Sequence, residues 1–96
     1  MTDDIGWAIR ERLVLTFWYD GHNRVVIPAT LGLTSTGKPT FRGYQTGGTC
    51  KHGTLPQWKL FTLSKIIKLS MTAATFSDPP QYRRGDRGFA RIYAEL

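Results

Sequence analysis

Leu13-Val14-Leu15-Thr16-Phe17-Trp18-Tyr19, then Asp20-Gly21-His22-Asn23, then Arg24-Val25-Val26-Ile27-Pro28, is the stretch that decides how this chain reads. Successive strand side chains point to opposite sides, so alternation sets Leu13, Leu15, Phe17 and Tyr19 on one face and Val14, Thr16 and Trp18 on the other. The stretch predicts a strand, a tight reversal and a second strand, with Arg24 at the mouth of the turn. An aromatic hydroxyl and a guanidinium then lie near each other at one sheet edge. That pairing suits an anionic ligand better than it suits catalysis.

The flanking sequence extends the pattern. Asp3 or Asp4 can cap a short helix from Ile5 to about Arg12, because Ile5, Ala8 and Ile9 fall at helical spacing and acidic residues favour a helix start. The second strand runs on to about Leu33, and Pro28 demands an edge, a bend or a bulge. A turn over Thr34 to Pro39 leads into a third strand, Thr40 to Thr46, with Arg42 and Tyr44 on one face. Gly47 to Pro56 is polar and carries three glycines, Gly47, Gly48 and Gly53, which predicts the most mobile segment. A fourth strand, Gln57 to Thr62, turns a tight corner at Leu63-Ser64-Lys65-Ile66 into a fifth, Ile66 to about Thr75.

The expected fold is mainly β, a small SH3-like or Sm-like barrel of about five strands with a short N-terminal α-helix at one end. Leu15, Phe17, Phe61 and either Ile66 or Ile67 should be buried. Residues 1–76 read as the barrel domain and 77–96 as a linker-like extension, since the prolines and glycines of Ser77 to Gly88 block regular structure. Residues 89–95 read as an extra strand or a peripheral arm.

At 96 residues the chain holds one core, and 41% apolar with 21% charged residues is ordinary for a globular protein. No apolar run reaches the ~18 to 20 residues of a membrane helix, because Ser64, Lys65, Lys68 and Ser70 interrupt the longest. The acidic start Met1-Thr2-Asp3-Asp4 is unlike a secretory signal, and Cys50 is the sole cysteine, so the expected location is cytoplasmic with no internal disulfide. Thirteen Lys and Arg against seven Asp and Glu give a formal charge of +6, which favours anionic partners electrostatically.

Taken in order, the helix with Ala8-Ile9, the strand ending in Tyr19, the Arg24-x-x-x-Pro28 step, the aromatic strand around Tyr44 and the run Lys59-Leu60-Phe61-Thr62-Leu63-Ser64-Lys65-Ile66 resemble the WYL domain family of bacteria. The likeness spans about Ile5 to Phe76. Gly43-Tyr44-Gln45 stands where that family has Trp-Tyr-Leu. In the later motif Lys59, Phe61, Lys65 and Ile66 keep the family's character, while Thr62 and Ser64 replace an arginine and an aspartate. The resemblance implies a stand-alone, divergent Sm-like module of a transcriptional or defence regulator. Such a module would sense a nucleotide or short single-stranded DNA or RNA.

On that basis Tyr19, Arg24, Arg42, Tyr44, Lys59 and Lys65 form the expected ligand site, with two tyrosines to stack on bases or bond phosphate and four cations to supply charge. The plainer alternative makes Tyr19 and Tyr44 barrel aromatics with satisfied hydroxyls. Arg83-Arg84-Gly85-Asp86-Arg87-Gly88 is a basic segment that could touch a nucleic-acid backbone, or a solvated loop. Cys50 and His52 lack the further ligands of a zinc site and the fixed geometry of a nucleophilic pair. Gly47-Gly48 lacks the lysine and helix of a phosphate loop, and the carboxylates are too scattered for an acid/base dyad. The reading is therefore non-enzymatic, with no cofactor and no metal. The rival is a protein-interaction or homodimerisation module that uses exposed edge strands and Trp18 or Trp58.

Overall fold

A computed structural model describes residues 1–50 and 53–96. The elements are α1 (Thr2–Glu11), β1 (Leu13–Tyr19), β2 (His22–Leu33), β3 (Pro39–Gly48), β4 (Gln57–Thr62), a 3-10 turn (Leu63–Lys65), β5 (Ile67–Thr75) and β6 (Arg91–Glu95). The helix begins earlier than its apolar spacing predicts. Met1 caps it without a side-chain bond, and Asp3 and Asp4 sit inside the first turn, where their charges complement the positive end of the helix dipole. It buries Ile5, Ala8 and Ile9 and ends at Arg12, which takes a left-handed conformation at φ 55°.

The first hairpin is tighter than the expected four-residue turn. Tyr19 pairs directly with His22, and only Asp20 and Gly21 lie between them, both at positive φ (51° and 73°). Asp-Gly favours this type I′ geometry, whose twist matches the strands it joins. The third strand likewise runs beyond Thr46 through Gly48. There the backbones close in so far that a Cβ on Gly48 would sit 2.0 Å from the Asn23 carbonyl oxygen.

All ladders are antiparallel, in the order β4-β3-β2-β1-β5, and β6 joins β2. Around Pro28, β2 changes partners. Its first half pairs with β1, its register with β3 shifts between Pro28 and Thr30, and its last four residues pair with β6. A proline lacks the N–H a continuous ladder would use, so a shift at this point is the expected accommodation. Against the barrel expectation, the sheet is not closed. No ladder joins β4 to β5 among the described residues, and only Leu69 and Thr72 of the nine β5 residues are even partly buried. The fold is a curved six-stranded antiparallel sheet with one helix packed on it.

Three phenylalanines centre the core. The Phe17 ring meets Phe61 edge-on at 5.0 Å and Phe41 at 5.8 Å, while Phe41 and Phe61 stack at 5.2 Å. Ile5, Ile9, Leu15, Val26, Leu31, Leu63 and Ile66 surround them. The alternation read from β1 holds: Leu15 and Phe17 are buried and Trp18 is 44% exposed. At the β4–β5 corner, Ile66 turns inward and Ile67 is left 60% exposed. No helix among the described residues is long and apolar enough to cross a membrane.

Candidate functional site

Cross-strand partners share a face of the sheet, and this sorts the candidate residues into two groups. Arg24 pairs with the buried Phe17, so its side chain enters the core face. Arg42 pairs with Leu60, and Tyr44 with Trp58, on the opposite, outer face.

Arg24 is 5% exposed. Its Nε and Nη2 donate to the Tyr19 carbonyl oxygen at 3.3 and 3.1 Å, and Nη1 donates to Gln45 Oε1 at 3.0 Å. The guanidinium also lies over the Tyr19 and Phe61 rings, 5.6 and 5.9 Å from their centroids. Gln45 is fully buried, and its Nε2 donates to the Gly47 and Thr49 carbonyls at 3.0 and 3.1 Å. This network fastens the first hairpin to the end of β3. The Tyr19 hydroxyl accepts the Thr62 N–H at 3.1 Å, tying β1 to β4. Tyr19 and Arg24 are thus committed inside the fold, and the expected four-cation rim does not form. Arg24 is inward and Arg42 outward, Lys59 is half-buried opposite Gly43, and Lys65 is exposed on the 3-10 turn.

The outer face carries a different constellation. A cleft of about 850 Å³ lies between the sheet and the C-terminal segment, with Arg42, Trp58, Tyr82, Arg83 and Arg87 in its lining. Trp58 packs against Tyr44 at 5.2 Å, and its indole Nε1 donates to the Pro80 carbonyl oxygen at 3.0 Å. Arg42 grips Asp86 through Nε and Nη2, and the same carboxylate accepts the Gly88 N–H at 2.8 Å. Glu95 on β6 holds Arg84 Nε at 3.1 Å and the Gly85 N–H at 2.9 Å, while the Tyr82 hydroxyl donates to the Leu96 carbonyl oxygen at 2.8 Å. Burial, and secondly the nearby Glu95 carboxylate, push the Tyr82 pKa above the ordinary tyrosine value. The segment read as linker-like is therefore pinned along the outer face, although it has neither helix nor strand before β6.

Arg83 and Arg87 are exposed and make no hydrogen bond or ion pair among the described residues. Of the predicted site, Arg42 lines this cleft and Tyr44 backs its tryptophan. Trp58, Tyr82, Arg83 and Arg87 join them; the arginine-glycine run was the one legible signal for the last two. His52 and Lys51 lie outside the described residues. Among the described residues no three His, Cys, Asp or Glu side chains gather as a metal site, and His22 Nδ1 bonds Thr49 Oγ1 at 2.9 Å.

Comparison of the chain with family models, with curated proteins and with solved structures gave no match.

Proposed function

We propose that this chain is a non-catalytic binding module that holds a negatively charged ligand, a nucleotide or a short single-stranded nucleic acid, in the outer-face cleft. The observation that carries the reading is that Arg83 and Arg87, without an ion pair among the described residues, line one cleft with Trp58, Tyr82 and the Asp86-bound Arg42. Guanidinium groups grip phosphate through a planar fork, and aromatic faces stack on bases. A formal charge of +6 draws such ligands in.

The strand order β5-β1-β2-β3-β4, with a 3-10 turn between β4 and β5, supports an SH3-like or Sm-like ancestry. The WYL-like character and a regulatory role rest on the ordered residues from Ala8 to Ile66, and a cytoplasmic setting on the single thiol of Cys50. The test is fluorescence anisotropy with a labelled oligothymidylate, competed with mononucleotides. Arg83→Ala/Arg87→Ala should weaken binding about tenfold or more, since a charged hydrogen bond contributes roughly 1.5 to 3 kcal/mol. Affinity should also fall steeply as salt rises.

One observation favours a second reading, a protein-interaction module. Trp18 and Ile67 are cross-strand neighbours, and they are 44% and 60% exposed beside the open edge of β5. Such an edge is a template for another strand. Association that persists at high salt and is abolished by Ile67→Lys, with no anion bound at low salt, would favour it.

A further inference from the structure

The cleft at Arg42 does not stand alone. A second cleft of about 320 Å³ opens between α1 and β6, lined by Arg10, Arg84, Ile92, Tyr93, Ala94 and Glu95. Arg84 lines both, so the two hollows adjoin through one side chain. Arg10 lies exposed in the last turn of α1. Tyr93 is 47% exposed, and the Arg91 guanidinium lies 5.7 Å over its ring. Glu95, the carboxylate in this lining, is engaged by Arg84 and the Gly85 N–H and is mostly covered.

We infer that the ligand is a single-stranded nucleic acid several nucleotides long, which runs from the Arg42–Trp58 cleft past Arg84 into the Arg10–Tyr93 cleft. This deepens the proposed function and rests on it. A mononucleotide would use one hollow and leave the other without a role, whereas a strand presents a phosphate or a base to each. The two linings together hold cations (Arg87, Arg84, Arg10, and Arg42 beside its Asp86) and aromatic rings (Trp58, Tyr82, Tyr93), the combination by which single strands are held: charge follows the backbone and rings take the unstacked bases. A duplex hides its base faces and could not use the rings. With molecular extents of 29 × 26 × 24 Å, the track suits a site near the low end of the ~4 to 16 nucleotides that small single-strand binders occupy.

The test is anisotropy at low salt with labelled thymidine and uridine di-, tetra- and octanucleotides on the whole chain, comparing wild type with Arg10→Ala, Tyr93→Ala and Arg87→Ala. The octanucleotide should bind about tenfold or more tightly than the dinucleotide, because linked contacts reinforce one another. Arg10→Ala and Tyr93→Ala should each lower octanucleotide affinity about fivefold or more, the low end of the range for loss of one stacking contact. Both should leave dinucleotide binding unchanged, and Arg87→Ala should weaken every length. Arg10→Ala alters an exposed helix position, so it tests the track even if Tyr93→Ala disturbs β6. Equal affinity at all lengths, or Arg10→Ala and Tyr93→Ala proteins that bind the octanucleotide as wild type does, would overturn the track while leaving the Arg42 cleft standing. Wild-type protein that binds no oligonucleotide at all would remove both.

Discussion

Arg42 on β3 and Asp86, 44 residues further along the chain, meet through two guanidinium nitrogens and both carboxylate oxygens. The Asp86 side chain is 13% exposed and that of Arg42 31%, so the pair is more sheltered than an ordinary surface ion pair and has the two-point geometry that makes such pairs count. An arginine that faces a candidate anion cleft is already occupied by an anion from its own chain. Any incoming phosphate meets the repulsion of Asp86 and competes with it for Arg42.

Asp86→Asn should therefore raise affinity for a short oligonucleotide by about three- to tenfold, since it removes one negative charge and leaves the arginine available. The same change loosens the C-terminal segment. Loss of a sheltered two-point pair of about 1 kcal/mol lowers the melting temperature by roughly 4 to 8 °C in a domain of this size. Titration calorimetry and a thermal melt on one sample check both. Weaker binding by Asp86→Asn would mean that the carboxylate positions Arg42 for its ligand and does not compete.

Arg24 predicts the opposite pattern. Arg24→Ala leaves the Tyr19 carbonyl and Gln45 Oε1 without their buried donor and opens a void against Phe61. Each uncompensated buried polar group costs about 1 to 3 kcal/mol. Urea denaturation should show a loss of roughly 2 to 4 kcal/mol, with oligonucleotide affinity unchanged under conditions where the variant is folded. A stable Arg24→Ala protein with weakened binding would return Arg24 to the ligand site.

Why Arg24 misleads in the sequence is a matter of register. Arg24 belongs to whichever face its partner on β1 occupies, and that partner depends on turn length alone. A four-residue turn leaves Arg24 at the mouth of the hairpin; the two-residue Asp20-Gly21 turn sets it opposite Phe17, inside. The shift is by two residues, so Arg24 stays on the Phe17–Tyr19 face and moves along it from the rim into the core. The alternation of Leu15, Phe17 and Trp18 was legible because it is local to one strand, and the corner at Leu63 to Ile66 was legible from its neighbours. The cleft was not. It depends on Trp58, Arg42 and Asp86, which come from three distant stretches and meet only because the C-terminal segment folds back to pair β6 with the far half of β2. Basic composition marked Arg83 to Gly88, but nothing local told which surface that segment would lie against.

The corner between β4 and β5 gives a packing prediction. Phe61 is 1% exposed and touches Phe17, Tyr19 and Phe41, whereas Ile67 is 60% exposed. Phe61→Ala should cost about 3 to 5 kcal/mol through lost burial and the cavity left behind. Ile67→Ala should stay within about 0.5 kcal/mol, as at other surface positions. Paired urea curves decide it, and similar losses from both would place β5 against a partner that covers Ile67.

Tyr82 sits where the C-terminal segment, β6 and the cleft meet, and it supplies a pH-dependent readout of that junction. Burial first, and the Glu95 carboxylate second, raise its pKa above the ordinary 10.0, because both disfavour a phenolate. A group whose pKa is higher in the folded than in the unfolded chain holds its proton more tightly when native. Its contribution to stability is whole below the unfolded value and is lost as pH rises through the folded one. The docking of this segment should thus be intact through neutral pH and weaken only in alkali above about pH 10. Glu95→Gln removes the second cause and keeps the first, so the Tyr82 pKa should fall while remaining above that of an exposed tyrosine. Near-ultraviolet phenolate absorbance reads this out, with Tyr82→Phe as the subtraction that isolates one of the four tyrosines. A Tyr82 that titrates at the ordinary tyrosine value, in wild type and Glu95→Gln alike, would mean that the Tyr82 hydroxyl is not held at the Leu96 carbonyl and that the cleft lacks this wall in solution.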